Sequence, residues 1–325
     1  MISELPKIFD KNFAIAYFLP VSLFMAASAG LLSMLGDPIR ISFSSTAKTI
    51  FDVSLVAFSA WIASILLMVL NREIYRILEG YGRWNPLRVF GSWVRWDYAD
   101  KTARLQKLED QHSRGDHSEE LRRQHDKLME ELAQQYPDRE DLLLPTMFGN
   151  TLRAFESYPR VMYGLEAVDG WIRILAVVPK EYRELIDDAK AQVDWWVNLG
   201  VVSLAFLFEF WYVIFQKWGS GPYLHINVLN FAVPLVLFGL LNWFLSWRAT
   251  RAATGWGDYI KSAFDLYRFK LLETLGIDLP KDRAEERALW EKYSQAIAYR
   301  LPETLPELKI SAGKLSGKNE GIQKK

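Results

Sequence analysis

The chain has 325 residues, of which half are apolar, and its 39 basic side chains balance 39 acidic ones. The apolar residues are concentrated in four long runs, which excludes a simple soluble enzyme, a disordered chain and a basic nucleic-acid-binding protein. The absence of cysteine excludes disulfide frameworks, cysteine-ligated metals and cysteine nucleophiles. The 13 tryptophans are several times the usual share, and tryptophan is enriched at membrane interfaces.

Four runs are each long enough to cross a bilayer, which takes about 20 mostly apolar residues. They are Phe13–Leu35, Val53–Leu70, Trp195–Phe215 and Val228–Trp247. Because they are apolar on every side, they predict membrane spans rather than core helices of a soluble protein. The fold class we predict is therefore all-α: a polytopic membrane protein with four transmembrane helices in two hairpins and a helical cytoplasmic domain.

Lysine and arginine are distributed unequally around these spans, since the two short connections hold only Arg40, Lys48 and Lys217. The positive-inside rule then places both termini in the cytoplasm of a multi-pass protein of the plasma (inner) membrane. The predicted order is a cytoplasmic N-terminus (1–12), a transmembrane hairpin (13–70), a cytoplasmic helical insertion (71–194), a second transmembrane hairpin (195–247), a cytoplasmic helical tail (248–300) and a disordered tail (301–325). Within the helical tail, the pattern predicts separate helices at about Trp256–Leu275 and Asp282–Tyr299.

Tryptophan and arginine alternate just after the second span, at Trp84, Arg88, Trp93, Arg95 and Trp96. Near a membrane, the rings favour the headgroup layer and the guanidinium groups favour phosphates. We therefore predict that these residues are interfacial anchors that contact membrane lipid. A cation–π cluster inside the folded domain is the alternative interpretation.

Residues 98–135 are highly charged and helix-prone, with a glycine-containing turn signal at 114–116. This pattern predicts an antiparallel helical hairpin, which serves either as a contact for a cytosolic partner or another subunit, or as a solvated spacer. His112, His117 and His125 lie near the turn, but their spacing matches no standard metal-ligand pattern, and we predict no metal site.

Glu209 is the one charged residue inside a predicted span. A carboxylate there costs roughly 2.5–3.5 kcal/mol and usually faces protein or water. If spans three and four pair antiparallel, Glu209 lies within a turn of Asn230, and Asn198 lies level with Asn242. These four residues are our candidates for an ion or proton pathway. Interhelical hydrogen bonds with a protonated Glu209 are the alternative.

The sequence contains no phosphate-binding loop, no H-E-x-x-H and no G-x-S-x-G motif, so we predict no enzyme activity, catalytic residue or cofactor. The order of two spans, a large insertion, two spans and a tail resembles the layout of flagellar-type proton-channel stator subunits and of bestrophin-type anion channels. That resemblance implies topology only. We predict a homo-oligomeric, ion-conducting or gated channel-like assembly with a cytoplasmic gating or assembly domain. The alternative is a non-conducting scaffold or signalling protein that recruits a cytosolic partner through its hairpin and tail.

Overall fold

The computed structural model describes residues 10–34, 46–115, 117–217 and 228–305, and the regular structure in these ranges is helical. In chain order the helices are α1 (Lys11–Phe13, π-helical Ala14–Phe18 and Leu19–Met34), α2 (Thr46–Leu78), α3 (Gly91–Ser113), α4 (Glu119–Gln135), α5 (Met147–Tyr163), α6 (Ala167–Val177), α7 (Lys180–Lys217), α8 (Val228–Leu275) and α9 (Arg283–Tyr299). The expectations for most of both short connections, and for the tail beyond residue 305, lie outside the described residues. A 3-10 turn occupies Pro302–Thr304, within the predicted disordered tail.

Among the described helices, four are long and apolar enough to cross a membrane. The segments are Lys11–Ser33, Phe51–Leu78, Lys180–Gln216 and Ala232–Leu275. The all-helical class and the four candidate spans are therefore confirmed. The 38 residues of α7 and the 48 residues of α8 extend over about 57 and 72 Å, well beyond a hydrocarbon core of about 30 Å. The tail helix expected at Trp256–Leu275 is the continuation of the fourth span rather than a separate helix.

Contacts between the candidate spans define their relative directions. Helix α1 runs parallel to α7, because Lys11 pairs with Asp188 at one end and Ser28 with Glu209 at the other. Helix α8 runs antiparallel to α7, since Phe206 contacts Phe238 at 5.8 Å between ring centres, whereas the earlier Trp196 contacts the later Phe244 at 6.3 Å. Helix α2 packs against α1, and the C-terminal part of α2 contacts α7 through Asn71 and Tyr75.

Beyond the most apolar part of the spans, a helical domain forms around its own hydrophobic core. We define it as α5, α6, α9 and the adjoining parts of α7 and α8, which share large buried side chains including Leu165, Ile174, Phe264, Leu272 and Trp290. Thr146 caps α5 by accepting a hydrogen bond from the Gly149 amide and donates one to the Leu78 carbonyl at 2.6 Å. The last turn of α2 is thereby attached to this domain.

Helices α3 and α4 run antiparallel and pack on each other. Near the base of this α3–α4 pair, Lys101 on α3 donates to Gln135 on α4 at 3.0 Å and lies 3.1 Å from Asp97. Tyr136 also donates to Asp97, which closes the base of the pair. Most other side chains along both helices are exposed, as a highly charged sequence requires.

Candidate functional site

A buried carboxylate, that of Asp194, lies where α1, α2 and α7 meet, and only 4% of the residue is exposed. Its Oδ2 atom accepts from the Tyr17 hydroxyl at 3.0 Å and from Lys190 Nζ at 2.7 Å. Its Oδ1 atom accepts from the Tyr75 hydroxyl at 2.7 Å and from Asn71 Nδ2 at 3.2 Å. Four donors fill about four acceptor positions, so the carboxylate is saturated by protein. We call these five residues the Asp194 network.

Helical spacing explains why these side chains converge. Asn71 and Tyr75 are four residues apart on α2, as are Lys190 and Asp194 on α7, so each pair shares one face of its helix. Asp194 immediately precedes Trp195, where the third apolar run begins. The network therefore lies at one edge of the apolar region and holds three candidate spans in register.

Lys190 extends this network toward the fourth long helix. Its Nζ atom lies 5.4 Å from the Tyr75 ring centre and 6.0 Å from the ring centre of Trp256 on α8. Its 2.7 Å contact with Asp194 neutralises the buried carboxylate. A buried charge persists only when it is paired and hydrogen-bonded, and both conditions are met here.

Asn198 is fully buried one turn beyond Asp194, but it does not bridge to Asn242 as expected. Its Nδ2 atom donates to the Ala16 carbonyl at 2.7 Å, inside the π-helical turn of α1. Both π-helical turns and side chains that bond to the backbone ladder distort a helix locally, and both occur here. Asn242 instead donates to Ser203 Oγ at 3.3 Å, which connects α8 to α7.

Glu209 lies within α7 and is partly exposed on the surface of the helix bundle. Ser28 on α1 donates to its Oε2 atom at 2.5 Å and is its single hydrogen-bond partner among the described residues. The side chain of Asn230 lies outside the described part of the chain, so its pairing with Glu209 stays a prediction. Unlike Asp194, Glu209 retains acceptor positions that no described residue fills.

The five predicted interfacial anchors lie on the surface. Trp84 is 90% exposed, Trp93 52% and Trp96 63%, and both arginines between them are exposed. This exposure argues against a cation–π cluster inside the domain. A second set of aromatic and basic residues occurs where α7 and α8 leave the apolar region: the Arg248 guanidinium lies 4.7 Å from the ring centre of Trp196.

A pair of glutamates with perturbed protonation lies between the end of α2 and α5. Burial and the neighbouring Glu156 raise the pKa of Glu79 to about 7, against the opposing effect of Arg153. Burial also raises the pKa of Glu156, although Arg153 lies 3.4 Å from it. No pattern in the sequence identified Glu79.

The histidines near the turn between α3 and α4 come partly together. The Nδ1 atoms of His112 and His117 lie 3.3 Å apart, and His125 Nε2 is 3.9 Å from Glu109. Within the described ranges, no group of three or more potential ligands is placed to hold a metal ion.

Comparison of the chain with protein-family models, curated proteins and solved structures found no match. The functional assignment therefore depends on the Asp194 network, on Glu209 and on the surfaces around them.

Proposed function

We propose that copies of this chain assemble in a membrane into an ion-conducting or gated channel-like oligomer, with the helical domain in the cytoplasm as its assembly or gating element. One observation carries the proposal: Glu209 is a partly exposed carboxylate inside a candidate span, with one hydrogen bond from a described residue.

The depth of Glu209 makes this exposure costly in a lone chain. It follows Asp194 by 15 residues, which is about 22 Å along α7 and places it inside a hydrocarbon layer about 30 Å thick. The insertion cost of a charged side chain reaches roughly 2.5–3.5 kcal/mol at the centre of a span, against a typical return of about 0.6–2 kcal/mol from one interhelical hydrogen bond. A second subunit or a water-filled path beside Glu209 removes the remaining cost.

The continuity of α7 supports a regulatory role for the helical domain. The same helix carries Asp188 and Asp194 at its domain end and Glu209 near its other end. Because the Asp194 network attaches α1 and α2 to this helix, a displacement of the domain would move three spans together. Such coupling is what a gate controlled from outside the membrane requires.

The first test is the oligomeric mass of the full chain in nanodiscs, followed by ion flux in proteoliposomes. We expect a defined oligomer and a changed rate or selectivity in the Glu209→Gln variant. Asp188→Asn is the matched control, because it makes the same acid-to-amide change at a half-buried position at the other end of the same helix. A monomer would refute the assembly. Unchanged flux in Glu209→Gln would remove Glu209 from the pathway.

A non-conducting scaffold is the second candidate, and the α3–α4 pair favours it. Lys101 and Tyr136 close its base, and the Tyr136 hydroxyl also contacts Met147 Sδ of α5 at 3.3 Å, while most of its charged surface is free to contact a protein. Deleting residues 98–135 should abolish cross-linking to a cytosolic partner and leave membrane insertion intact. Unchanged cross-linking profiles after this deletion would count against the scaffold.

A further inference from the structure

The segment at residues 83–96 exposes an unusual combination of side chains. We call it the tryptophan–arginine surface. It contains three arginines and no acidic residue, and its aromatic side chains include Trp84 at 90% exposure and Trp96 at 63%. Apolar Val89 is also 71% exposed. Large rings left in water beside unbalanced positive charge indicate a surface that is covered in the working protein.

Arg88 and Arg95 of this surface differ from the arginines farther along α3 and on α4. Within the described part of the chain, Arg88 and Arg95 form no ion pair. On the α3–α4 pair, by contrast, Arg104 lies 2.8 Å from Asp100, and Arg123 lies 2.9 Å from Glu119. The guanidinium groups of the tryptophan–arginine surface therefore remain available for an external anion.

The backbone holds this surface at a fixed height beside the end of α2. Asn85 Nδ2 donates to the carbonyls of Ile77 at 2.7 Å and Tyr81 at 2.9 Å, so the chain doubles back along the last turn of α2. Gly80 makes this reversal with φ of +92° and lies directly against Pro145, where a Cβ atom would clash.

Ile77 lies close to the outer edge of the headgroup layer. Ile77 lies six residues beyond Asn71 of the Asp194 network, which is about 9 Å along the helix. The headgroup layer is roughly 5–8 Å thick outside each face of the hydrocarbon core, and the chain that doubles back from Ile77 can therefore place side chains among the headgroups. Trp196 and Arg248 mark the same edge of the apolar region on α7 and α8.

We propose that the tryptophan–arginine surface binds the phosphate groups of anionic phospholipids in the leaflet nearest the helical domain. The tryptophan rings lie among the headgroups, and Arg88 and Arg95 contact the phosphates. The positive charge of the surface favours an anionic bilayer over a second copy of this chain, which would present the same charge. Bound lipid would then hold the end of α2, and the domain attached to it, at a fixed depth.

The absence of cysteine from the natural sequence allows a direct measurement of depth. A fluorescent label is attached to Ser92→Cys on the surface, or to Lys127→Cys on α4 as the control, and the full chain is reconstituted in nanodiscs of phosphatidylglycerol and phosphatidylcholine. Lipids with a nitroxide on the headgroup should quench the label at position 92 several-fold more than the label at position 127.

Lipid preference is measured by native mass spectrometry of chains released from the same nanodiscs. Each arginine near an anionic surface strengthens binding about fivefold, so Arg88→Gln with Arg95→Gln should lower phosphatidylglycerol retention by up to about thirtyfold. Arg104→Gln with Arg122→Gln removes equal charge from the α3–α4 pair and should change retention little.

Equal quenching at both labelled positions, or unchanged phosphatidylglycerol retention in the Arg88 and Arg95 variant, would overturn the proposal. A label at position 92 that is shielded from both headgroup nitroxide and aqueous iodide would also overturn it. That outcome would assign the surface to contact between copies of the chain.

Discussion

Replacing Asp194 by asparagine should destabilise the folded chain by about 3 kcal/mol. The amide preserves the shape of the side chain, but its NH₂ group faces donors, and Lys190 loses its counter-ion. Removing one member of a buried ion pair costs about 3–5 kcal/mol. Because the Lys190 side chain is 37% exposed whereas that of Asp194 is 5% exposed, water compensates part of the loss, which favours the lower end of that range.

Equilibrium unfolding of the full chain in mixed micelles, followed by tryptophan fluorescence, measures this change in the free energy of unfolding. Asp188→Asn is the matched control, since Asp188 lies on the same helix and pairs with an exposed Lys11 at 2.7 Å. Asp188 also accepts from Asn12 at 2.9 Å, which an amide oxygen can still do, and a pair with an exposed partner contributes about 0–1 kcal/mol, so this variant should remain close to the natural protein.

A second substitution tests the cause. Lys190→Met in the Asp194→Asn background removes the stranded ammonium group and should recover part of the lost stability. Equal losses in Asp194→Asn and Asp188→Asn would refute the conclusion that the Asp194 network holds the three spans together.

Two further predictions concern the helical domain. Because the pKa of Glu79 is about 7 when folded and about 4.3 when unfolded, stability should fall as pH rises between these values. Glu79→Gln should reduce the difference in unfolding midpoint between pH 5 and pH 8, and an undiminished difference would exclude Glu79 as its source. Gly257→Ala on α8 should cost about 1–3 kcal/mol, because its Cβ atom would overlap the Phe155 ring. Gly255→Ala, which meets open space on the same helix, should instead stabilise by up to about 1 kcal/mol in the same unfolding assay.

The spans were predictable from sequence because each apolar run is a local and continuous signal. The polar contacts between spans were less predictable, because they depend on which helices are neighbours. Residues of equal depth on antiparallel α7 and α8 predicted an Asn198–Asn242 bridge. That comparison left out α1, whose Ala16 carbonyl accepts the hydrogen bond from Asn198. The π-helical turn that accompanies this contact leaves no recognisable signal in the residues Ala14–Phe18.

The Asp194 network was still less predictable from the sequence. Lys190 and Asp194 at a spacing of four residues resemble an ordinary surface ion pair in a charged flank. The donors that reveal a buried site are Tyr17, Asn71 and Tyr75, which are more than 100 residues away along the chain. Only the parallel packing of α1 on α7, together with the approach of α2, brings them to one carboxylate. A buried acid at a span boundary therefore needs tertiary structure for its identification.

Glu209 and Asp194 lie on one helix, yet neutralising them should affect the free energy of unfolding differently. In a membrane, Glu209→Gln removes the charge-dependent part of the insertion cost, although the polar amide remains, and weakens a single hydrogen bond from Ser28. We therefore expect Glu209→Gln to leave the free energy of unfolding unchanged or to raise it, whereas Asp194→Asn lowers it.

The same micelle assay, repeated in nanodiscs, measures both variants under one condition. Ser28→Ala is the control for the hydrogen bond, because it removes the donor and leaves the carboxylate in place. A loss of stability in Glu209→Gln as large as that in Asp194→Asn would make Glu209 another packing group within the bundle. Unchanged stability together with altered flux in Glu209→Gln would separate the role of Glu209 from that of Asp194. The incompletely hydrogen-bonded Glu209 carboxylate can respond to an ion, whereas the saturated Asp194 carboxylate holds the spans in register.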